Sequence, residues 1–437
     1  MGRRIREAAM QPVSSASVAF LRIAFGVAMV VNVALYLPGH VHEYYVDTTV
    51  HFPYGPFDFV RPLPGIGIYA VYVAMAGTGL LIALGKWYRA AAATFFVLTT
   101  YVFLLDSTYF QNHEYLISLL ALLLTVLPVH RRWSLDARAR PELRSETVPA
   151  WVVWLLRFQI GVPYFFGGIA KLNGDWLQGE PLRRWLAARA DAPLVGGLLT
   201  QESTVWFMTY GSLVFDLAIV GFLLHRRTRL GAFVVAVAFH LLNARLWGLW
   251  IFPWLMIAST TIFFAPSWPE RWLGTRTASV PRTRPVRGAV LSPLLVTLLA
   301  VWVAIQVAVP LRHLVVPGSP SWTEQGHRFA WHMKLRDKAG TVTYVLSDGD
   351  RTWRIDPAAD LRPKQLQRLA GHPERLVHLA RYYSEQHGGV EVRAETAVSL
   401  NGRRPQPIVD PTVDLSTVRF RWRGNDWILP LEEPLLR

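Results

Sequence analysis

The sequence predicts an all-α membrane domain of about nine transmembrane helices, followed by an extracytoplasmic α+β domain. Of the 437 residues, 52% are hydrophobic and only 17% are charged, which is too apolar for a soluble protein of ordinary composition. Long apolar stretches alternate with short basic segments up to residue 310, and the pattern then changes to one typical of strands and a helix. These observations together give the fold class.

The apolar stretches have the lengths expected of membrane-spanning helices. A helix needs about 20 mostly apolar residues to cross a hydrocarbon core about 30 Å thick. The predicted spans cover residues 15–37, 66–85, 90–105, 115–129, 150–170, 205–224, 230–242, 246–264 and 290–309. The first has the basic flank of a signal peptide, but it is too long and lacks a small-residue cleavage site, so we interpret it as a span.

The distribution of Lys and Arg predicts the orientation, because cytoplasmic loops of membrane proteins are enriched in these residues. They collect in every second segment: Arg3, Arg4 and Arg6; Lys86 and Arg89; Arg131, Arg132, Arg138, Arg140 and Arg144; Arg226, Arg227 and Arg229; and Arg271, Arg276, Arg282, Arg284 and Arg287. We therefore expect a multi-pass protein of the plasma (inner) membrane with a cytoplasmic N-terminus. The transmembrane domain is residues 1–310, and the domain of residues 311–437 is extracytoplasmic.

The last third of the chain has the pattern of a small α+β domain. The stretch TVTYVLSDGDRTWRID alternates around a D-G turn, PERLVHLARYYSEQH has helical spacing, and VEVRAETAVSLNG ends in an N-G turn. We expect two strands joined by a tight turn, one helix and a further strand.

Composition also excludes several function classes. The net charge is +15, but the arginines lie in short blocks between apolar stretches, which favours a role in membrane topology over nucleic-acid binding. The lipid bilayer is therefore the expected partner. The absence of cysteine excludes disulfides, zinc-thiolate sites and thiol nucleophiles. The histidines have no spacing typical of metal ligands, and we predict no metal.

Ionisable residues inside spans are costly in hydrocarbon, so they are usually paired or functional. Arg22, Arg157 and Asp216 are the clearest cases. One interpretation is that an arginine pairs with Asp216 and holds two helices together, and we favour it over a direct chemical role. Gln159, two residues after Arg157 in the sequence, is expected to help satisfy its guanidinium.

Polar side chains from three separate stretches are predicted to meet on the outer face. Spans three, five and seven all run outward. Gln111, Asn112 and His113 come just after the outer end of span three. Lys171 follows span five, and His240 and Asn243 lie at the outer end of span seven.

Each of these residues also has a purely structural explanation. Lys171 is explained equally well as an interfacial lysine with its amine in water. His113 is explained as a helix cap, and His240 and Asn243 as hydrogen-bonding residues between helices. The lysine favours a site, because partial burial disfavours an ammonium and a neutral amine near neutral pH is a competent general base.

The run LLRFQIGVPYFFGGIAKLNGDWLQGEPL resembles the hallmark segment of the vitamin K-dependent gamma-glutamyl carboxylases and of their bacterial relatives, the horizontally transferred transmembrane (HTTM) domain proteins. Three further stretches agree: QNHEY; FHLLNARLWGLWIFPWLMIAS, which matches an F-H-x-x-N span; and SWTEQGHRFAWHMKLRDK, which resembles a tryptophan-rich lumenal segment. The stretch IVDPTVDLSTVRFRW is similar to the D-P-x-V-D continuation of that domain. The resemblance covers nearly the whole chain in the same order.

The resemblance implies a membrane enzyme that couples two reactions. Reduced vitamin K or menaquinol reacts with O2 and becomes an epoxide. The strong base generated on the way removes a γ-proton from a glutamate in a peptide or protein, and the carbanion adds CO2. No metal is implied. An apolar quinol partitions into the bilayer and a peptide comes from water, so a site at the outer membrane boundary can bind both.

The resemblance also implies roles for individual residues. The catalytic residues are Lys171 as the base, with His113 and His240. The cofactor-binding residues are Asn112, Asn243, Gln111 and Arg157, and the substrate-binding residues are Trp331 and His332.

This chain departs from the animal enzymes in three respects. Ala170 stands where they tend to carry a second lysine, the chain is shorter, and no disulfide can form. The resemblance therefore supports quinol oxygenation more directly than it supports carboxylation. Two alternatives stay open: a membrane enzyme that oxidises quinol without carboxylation, and a non-catalytic membrane protein that binds a peptide or lipid.

Overall fold

The nine predicted spans correspond to nine apolar helices in a computed structural model, which describes residues 3–193, 195–274, 291–421 and 423–435. The helices are α1 (Ala16–Tyr36), α2 (Ile66–Leu84), α3 (Tyr88–Leu105), α4 (Asn112–Val126), α5 (Ala150–Ala170), α6 (Glu202–Leu224), α7 (Arg229–Trp247), α8 (Phe252–Thr260) and α9 (Pro293–Leu311). Within the described residues, seven are long and apolar enough to cross a membrane, and α4 and α8 are shorter. The chain is a multi-pass membrane protein with a mostly helical fold.

Short helices connect these elements. They are Arg3–Ala9, Leu135–Ala139, Gly174–Leu177, Leu182–Ala187, Gly196–Leu199, Trp268–Trp272, Pro320–Thr323 and Pro363–Gln367. Arg276, Arg282, Arg284, Arg287 and Val290, which belong to the predicted eighth loop and ninth span, lie outside the described residues.

The predicted eighth span is shorter in the structure than in the sequence analysis. Helix α7 continues to Trp247, and Gly248 then adopts the left-handed conformation at φ +60°, which ends the helix. Helix α8 restarts at Phe252 with Pro253 in its first turn, where proline is favoured. An irregular segment therefore separates the two helices, at a position where the apolar pattern of the sequence is continuous.

Small residues allow the helices to approach closely. Helices α1 to α4 pack in sequence order, as do α5 to α8, and α8 closes the bundle against α1. A Cβ atom on Gly26 of α1 would lie 2.5 Å from the backbone nitrogen of Ala83 in α2. A Cβ atom on Gly168 of α5 would lie 2.7 Å from Cδ2 of Leu217 in α6. Both crossings therefore depend on glycine.

Several of the basic segments meet at one end of the bundle. Strands β1 (Pro12–Ser14) and β2 (Thr147–Pro149) pair there in antiparallel fashion. Arg132 forms ion pairs with Glu270 and, at 3.0 Å, with Glu146. Arg22 does not pair with Asp216: its guanidinium donates to the carbonyl oxygens of Ile82, Ala83 and Trp133, at 2.6–2.7 Å. Ile82 and Ala83 lie in the last turn of α2, where helix geometry leaves carbonyl oxygens without partners, and Trp133 lies in the connection after α4.

The domain of residues 311–437, which we call the tail, has the predicted α+β character. Strands β3 (Lys338–Asp348), β4 (Arg351–Ile355) and β5 (Glu391–Leu400) form an antiparallel sheet in the order β4-β3-β5. The predicted D-G turn joins β3 to β4, with Asp348 opposite Arg351, and helix α10 (Pro373–Gln386) packs on the sheet. Val50 and Phe52, from the α1–α2 connection, belong to the tail's hydrophobic core, which attaches the tail to the bundle.

Candidate active site

Lys171 follows the last residue of α5 and is buried, with 6% of its surface exposed. Its Nζ donates to Oδ2 of Asp216 in the middle of α6, and the two side chains form an ion pair. The Nζ also lies 5.2 Å from the ring centroid of Trp176. The expectation that an arginine pairs with Asp216 is wrong, since the partner is this lysine.

The residues after Lys171 hold its surroundings in place. The Asn173 side chain accepts a hydrogen bond from the Trp176 backbone at 3.0 Å and so caps the short helix Gly174–Leu177. The Trp176 indole donates to the Thr209 carbonyl of α6 at 3.1 Å. Asp175 accepts two hydrogen bonds from the Arg403 guanidinium of the tail, at 2.6 and 2.7 Å. The KLNGDW run thus joins α5, α6 and the tail.

A chain of ring contacts links the two predicted histidines. The His113 ring stacks on Phe252 with centroids 5.2 Å apart, and Phe252 lies edge-on to His240 at 6.3 Å. His240 is buried, and its Nε2 shares a 2.6 Å hydrogen bond with the Tyr164 hydroxyl of α5. Asn243 is turned to its own helix, where its side chain donates to the Phe239 carbonyl at 2.8 Å.

Asn112 and His332 lie together where the bundle meets the tail. The Asn112 amide donates to the His332 carbonyl at 3.2 Å, and its Oδ1 is buried without a partner among the described residues. His332 is buried, and both of its ring nitrogens also lack a partner there. Gln111 donates to the Tyr36 hydroxyl at 3.4 Å. Trp331 is only 1% exposed and packs against Tyr115, within the core of the bundle.

A cavity of about 650 Å³ lies between one end of the helix bundle and the tail. Its lining includes Gln111, Asn112, His113 and His332, with the aromatic rings of Trp247, Trp250 and Phe252. Lys171, His240, Asn243 and Trp331 are not on its wall.

Met333 separates the Lys171–Asp216 pair from this cavity. Met333 lines the cavity, and a Cβ atom on Gly167 would lie 2.9 Å from its methyl carbon and 3.4 Å from Oδ2 of Asp216. Leu335 also lines the cavity and packs against Ala170 and Trp176. Met333 and Leu335 therefore line the cavity on one side and lie beside the surroundings of the pair on the other.

Two family models match the chain. The HTTM domain matches residues 10–268, and the lumenal domain of vitamin K-dependent gamma-carboxylase matches residues 291–434. No solved structure matches. The chain belongs to the vitamin K-dependent gamma-carboxylase family. Membership indicates a carboxylase that uses reduced vitamin K, O2 and CO2 and acts on a glutamate-containing substrate.

In this carboxylase-family protein, Arg157 lies away from the cavity. Its guanidinium donates to the carbonyls of Ile262 and Phe264 at 2.9 Å, beyond the end of α8. About 21 Å of helix separates it from Lys171 at ~1.5 Å per residue. Gln159 does not contact Arg157, because its side chain bonds to Trp302 at 3.1 Å and Gln306 at 3.3 Å. Arg157 is therefore a predicted site residue that lies towards the opposite end of α5 from Lys171.

The His332 imidazole is in a strongly electropositive environment. Burial lowers its pKa to about 3, and the charges of His313, Arg336 and Arg312 act in the same direction. The His313 and His327 rings lie 4.7 and 4.8 Å from it. Neutral imidazole keeps one donor and one acceptor, so His332 can bind a polar ligand. Within the described ranges, no group of three or more His, Asp or Glu side chains is arranged to hold a metal ion.

Proposed function

We propose that this protein oxygenates a reduced naphthoquinone to its epoxide, with Lys171 as the base that deprotonates the quinol, and that the strong base so generated drives carboxylation of a glutamate residue with CO2. The single observation that supports this most is the buried Lys171–Asp216 pair, one side chain away from a cavity between apolar helices and a polar domain. In the overall balance, one O2 gives the epoxide oxygen and one water. The γ-C–H bond of glutamate is replaced by a bond to CO2, with release of a proton.

The cavity has the size and lining that a naphthoquinol requires. Small-molecule sites have volumes of about 300–1,000 Å³ and combine apolar walls with a few polar groups. Phe252 with the stacked His113 would hold the ring system, and Gln111 and the unpartnered Oδ1 of Asn112 would bind its hydroxyl groups. When bound there, the reduced quinone supplies the electrons that reduce O2.

The lysine needs a place for its proton before it can act as a base. We propose that the proton passes from Nζ of Lys171 to Oδ2 of Asp216, which leaves a neutral amine beside a neutral acid. Both side chains are buried, and Nζ of Lys171 is hydrogen-bonded directly to Oδ2 of Asp216, so the proton can move within one bond and without an intervening water. The cover of Met333 and Leu335 excludes water that would protonate the amine again.

Met333 must move for the amine to contact a ligand in the cavity. Methionine has a flexible, unbranched side chain, and its displacement does not require the helices to separate. His240, held by Tyr164 behind Phe252, would orient the aromatic wall rather than contact the ligand. Asn243 would serve only to stabilise α7.

We propose that the site faces the extracytoplasmic side of the inner membrane. Lys86, Arg132 and Arg229 belong to basic segments that alternate with the outward spans, as expected for cytoplasmic loops. The glutamate-bearing peptide would then reach the cavity from the tail, where His332 and the buried Trp331 lie.

The test is a coupled assay on purified protein in nanodiscs with naphthohydroquinone, labelled CO2 and a glutamate peptide. We expect epoxide and acid-stable label in the peptide, and loss of both in Lys171→Ala. Lys86→Ala, at the other end of the bundle, is the matched control and should keep both products. Epoxide without label in the wild type would reject carboxylation, and no quinol turnover at all would favour the non-catalytic alternative.

A further inference from the structure

The part of the cavity wall contributed by the tail is strongly cationic. Among the described residues, the lining contains one acidic residue, Asp337, and the following basic residues: Arg328, Lys334, Arg336, Lys338, Lys364, Arg368 and Arg375. Such a wall creates a positive potential inside the cavity.

Three of these cations form ion pairs with two carboxylates. Arg328 pairs with Glu374 at 2.6 Å. Arg336 and Lys338 both pair with Glu324, each at 2.8 Å. The remaining four have no carboxylate within 4.0 Å in the part of the chain that the structure describes: Lys334, Lys364, Arg368 and Arg375.

The partners of these four leave donors free. Arg368 donates from Nη1 to the Thr108 carbonyl at 2.6 Å. Arg375 donates to the carbonyls of Ser107 and Arg368, both at 2.7 Å, and its Nε is buried without a partner among the described residues. Lys364 bonds to the Tyr44 hydroxyl at 2.8 Å, and Lys334 lies 4.7 Å from the Trp247 ring. None of these contacts neutralises a charge.

Arg368 is at the centre of this group. Burial is the largest cause that lowers the pKa of Lys334 and Lys364, and the charge of Arg368 lowers both further. The charge of Arg368 also lowers the pKa of Arg375, although burial and the charge of Arg328 have larger effects. Like charges held together in this way repel each other, and a bound anion would remove that repulsion.

Neighbouring polar atoms also lack partners among the residues that the structure describes, which is rare for buried atoms in folded proteins. They are both ring nitrogens of His332 and Nδ1 of His372, and these residues are 6% and 8% exposed. Both histidines line the same cavity. The wall therefore has unsatisfied charge and unsatisfied hydrogen-bonding capacity in one place.

Building on the proposed function, we propose that Arg368, flanked by Lys334, Lys364 and Arg375, binds the side-chain carboxylate of the acidic peptide substrate. Arg368 makes the main contact in this proposal, because its guanidinium keeps donors free after it bonds to the Thr108 carbonyl. The planar guanidinium also matches a carboxylate in shape.

The position of Lys334 favours a substrate carboxylate over a lipid phosphate. Lys334 lies between Met333 and Leu335, the two residues that cover the Lys171–Asp216 pair. An anion held by Lys334 therefore lies on the same segment of the cavity wall as the two side chains that cover the pair. A peptide glutamate bound here would present its γ-carbon to the cavity in which the strong base is generated from the quinol.

The test is a binding measurement on the full chain in zwitterionic nanodiscs without quinol, which does not depend on turnover. A fluorescent glutamate peptide should bind at least about tenfold more tightly than the same peptide with glutamine. Arg368→Gln should weaken binding of the glutamate peptide by about 10–100-fold and leave binding of the glutamine peptide unchanged. Arg368→Lys, which keeps the charge, should restore part of the affinity.

Arg351→Gln is the matched control, because it removes one exposed charge from β4 outside the cavity. Equal binding of the two peptides, or normal binding by Arg368→Gln, would overturn the carboxylate site. Binding of phosphatidylglycerol in an Arg368-dependent manner, with no peptide binding, would overturn it in favour of a lipid phosphate. Glutamate-selective binding without any quinol turnover would instead reject the proposed function and leave this site intact.

Discussion

The Lys171–Asp216 pair gives a sharp prediction about stability. Replacing one member, as in Lys171→Met or Asp216→Leu, leaves the other charge buried, which costs about 3–5 kcal/mol. Replacing both removes the uncompensated charge, and buried pairs exchanged for apolar side chains are often neutral in stability. We therefore expect the double variant to be more stable than either single variant.

The exposure of the pair sets the size of this effect. The two side chains are 7% and 4% exposed, so solvent does not screen the remaining charge. An unfolding entropy of about 2.1 cal/mol/K per residue gives about 0.9 kcal/mol/K for a chain of this length, so each single variant should lower Tm by about 3–5 °C. Thermal unfolding in detergent can be followed by the fluorescence of the 18 tryptophans.

The two single variants and the double variant form a double-mutant cycle. The exposed ion pair Arg183–Glu202 is the control for this cycle. It has a 2.8 Å contact, but its side chains are 32% and 61% exposed, and such pairs contribute about 1 kcal/mol or less. Strictly additive Tm losses in the Lys171 and Asp216 cycle would refute the buried ion pair. All three variants of that cycle should lack quinol epoxidation, whereas the Arg183 and Glu202 variants should keep it.

Three further predictions concern other parts of the molecule. Because the pKa of His332 is about 3 in the fold and near 6.5 when unfolded, stability should fall as the pH drops from 6.5 towards 3. At pH 5 this amounts to about 2 kcal/mol, so His332→Gln should reduce the Tm difference between pH 7.5 and pH 5 by about 2 °C, and an unchanged difference would contradict the assignment. Tyr164→Phe removes the 2.6 Å bond to His240 and should lower the epoxidation rate about tenfold with little change in Tm, whereas full activity would exclude a role for that bond. Gly26→Ala should lower Tm by several degrees because the new methyl group meets the α2 backbone, whereas Gly77→Ala, which has open space, should not; equal effects would reject the close crossing.

Periodicity and charge were sufficient to predict most of the fold. An apolar stretch in a membrane must form a helix, because its backbone polar groups have no water to bond to, and this made the long spans easy to place. The break between spans seven and eight was predicted at residues 243–245 instead of 248–251, because Gly248 and Pro253 interrupt the helix without interrupting the apolar pattern. A single glycine in an apolar run is common, and only its positive φ distinguishes this one.

The partner of Asp216 could not be predicted from the sequence. Lys171 and Asp216 lie on different helices, and whether their side chains meet depends on how α5 and α6 are rotated about their axes. Arg157 was the more obvious partner because it lies well inside a span. In the structure it instead satisfies backbone carbonyls after the end of α8, a need that the sequence does not reveal.

The residues that surround Lys171 explain how a lysine is accommodated at the end of a span. Asp216 compensates its charge, while Asn173 and Trp176 fix the turn that follows it. Asp175 then ties that turn to Arg403 of the tail by two charge-assisted hydrogen bonds. A displacement of the tail would thus act on the turn that carries Lys171 and on the Met333 cover at the same time. We therefore expect a ligand that displaces the tail to alter the environment of the proposed base without contacting it.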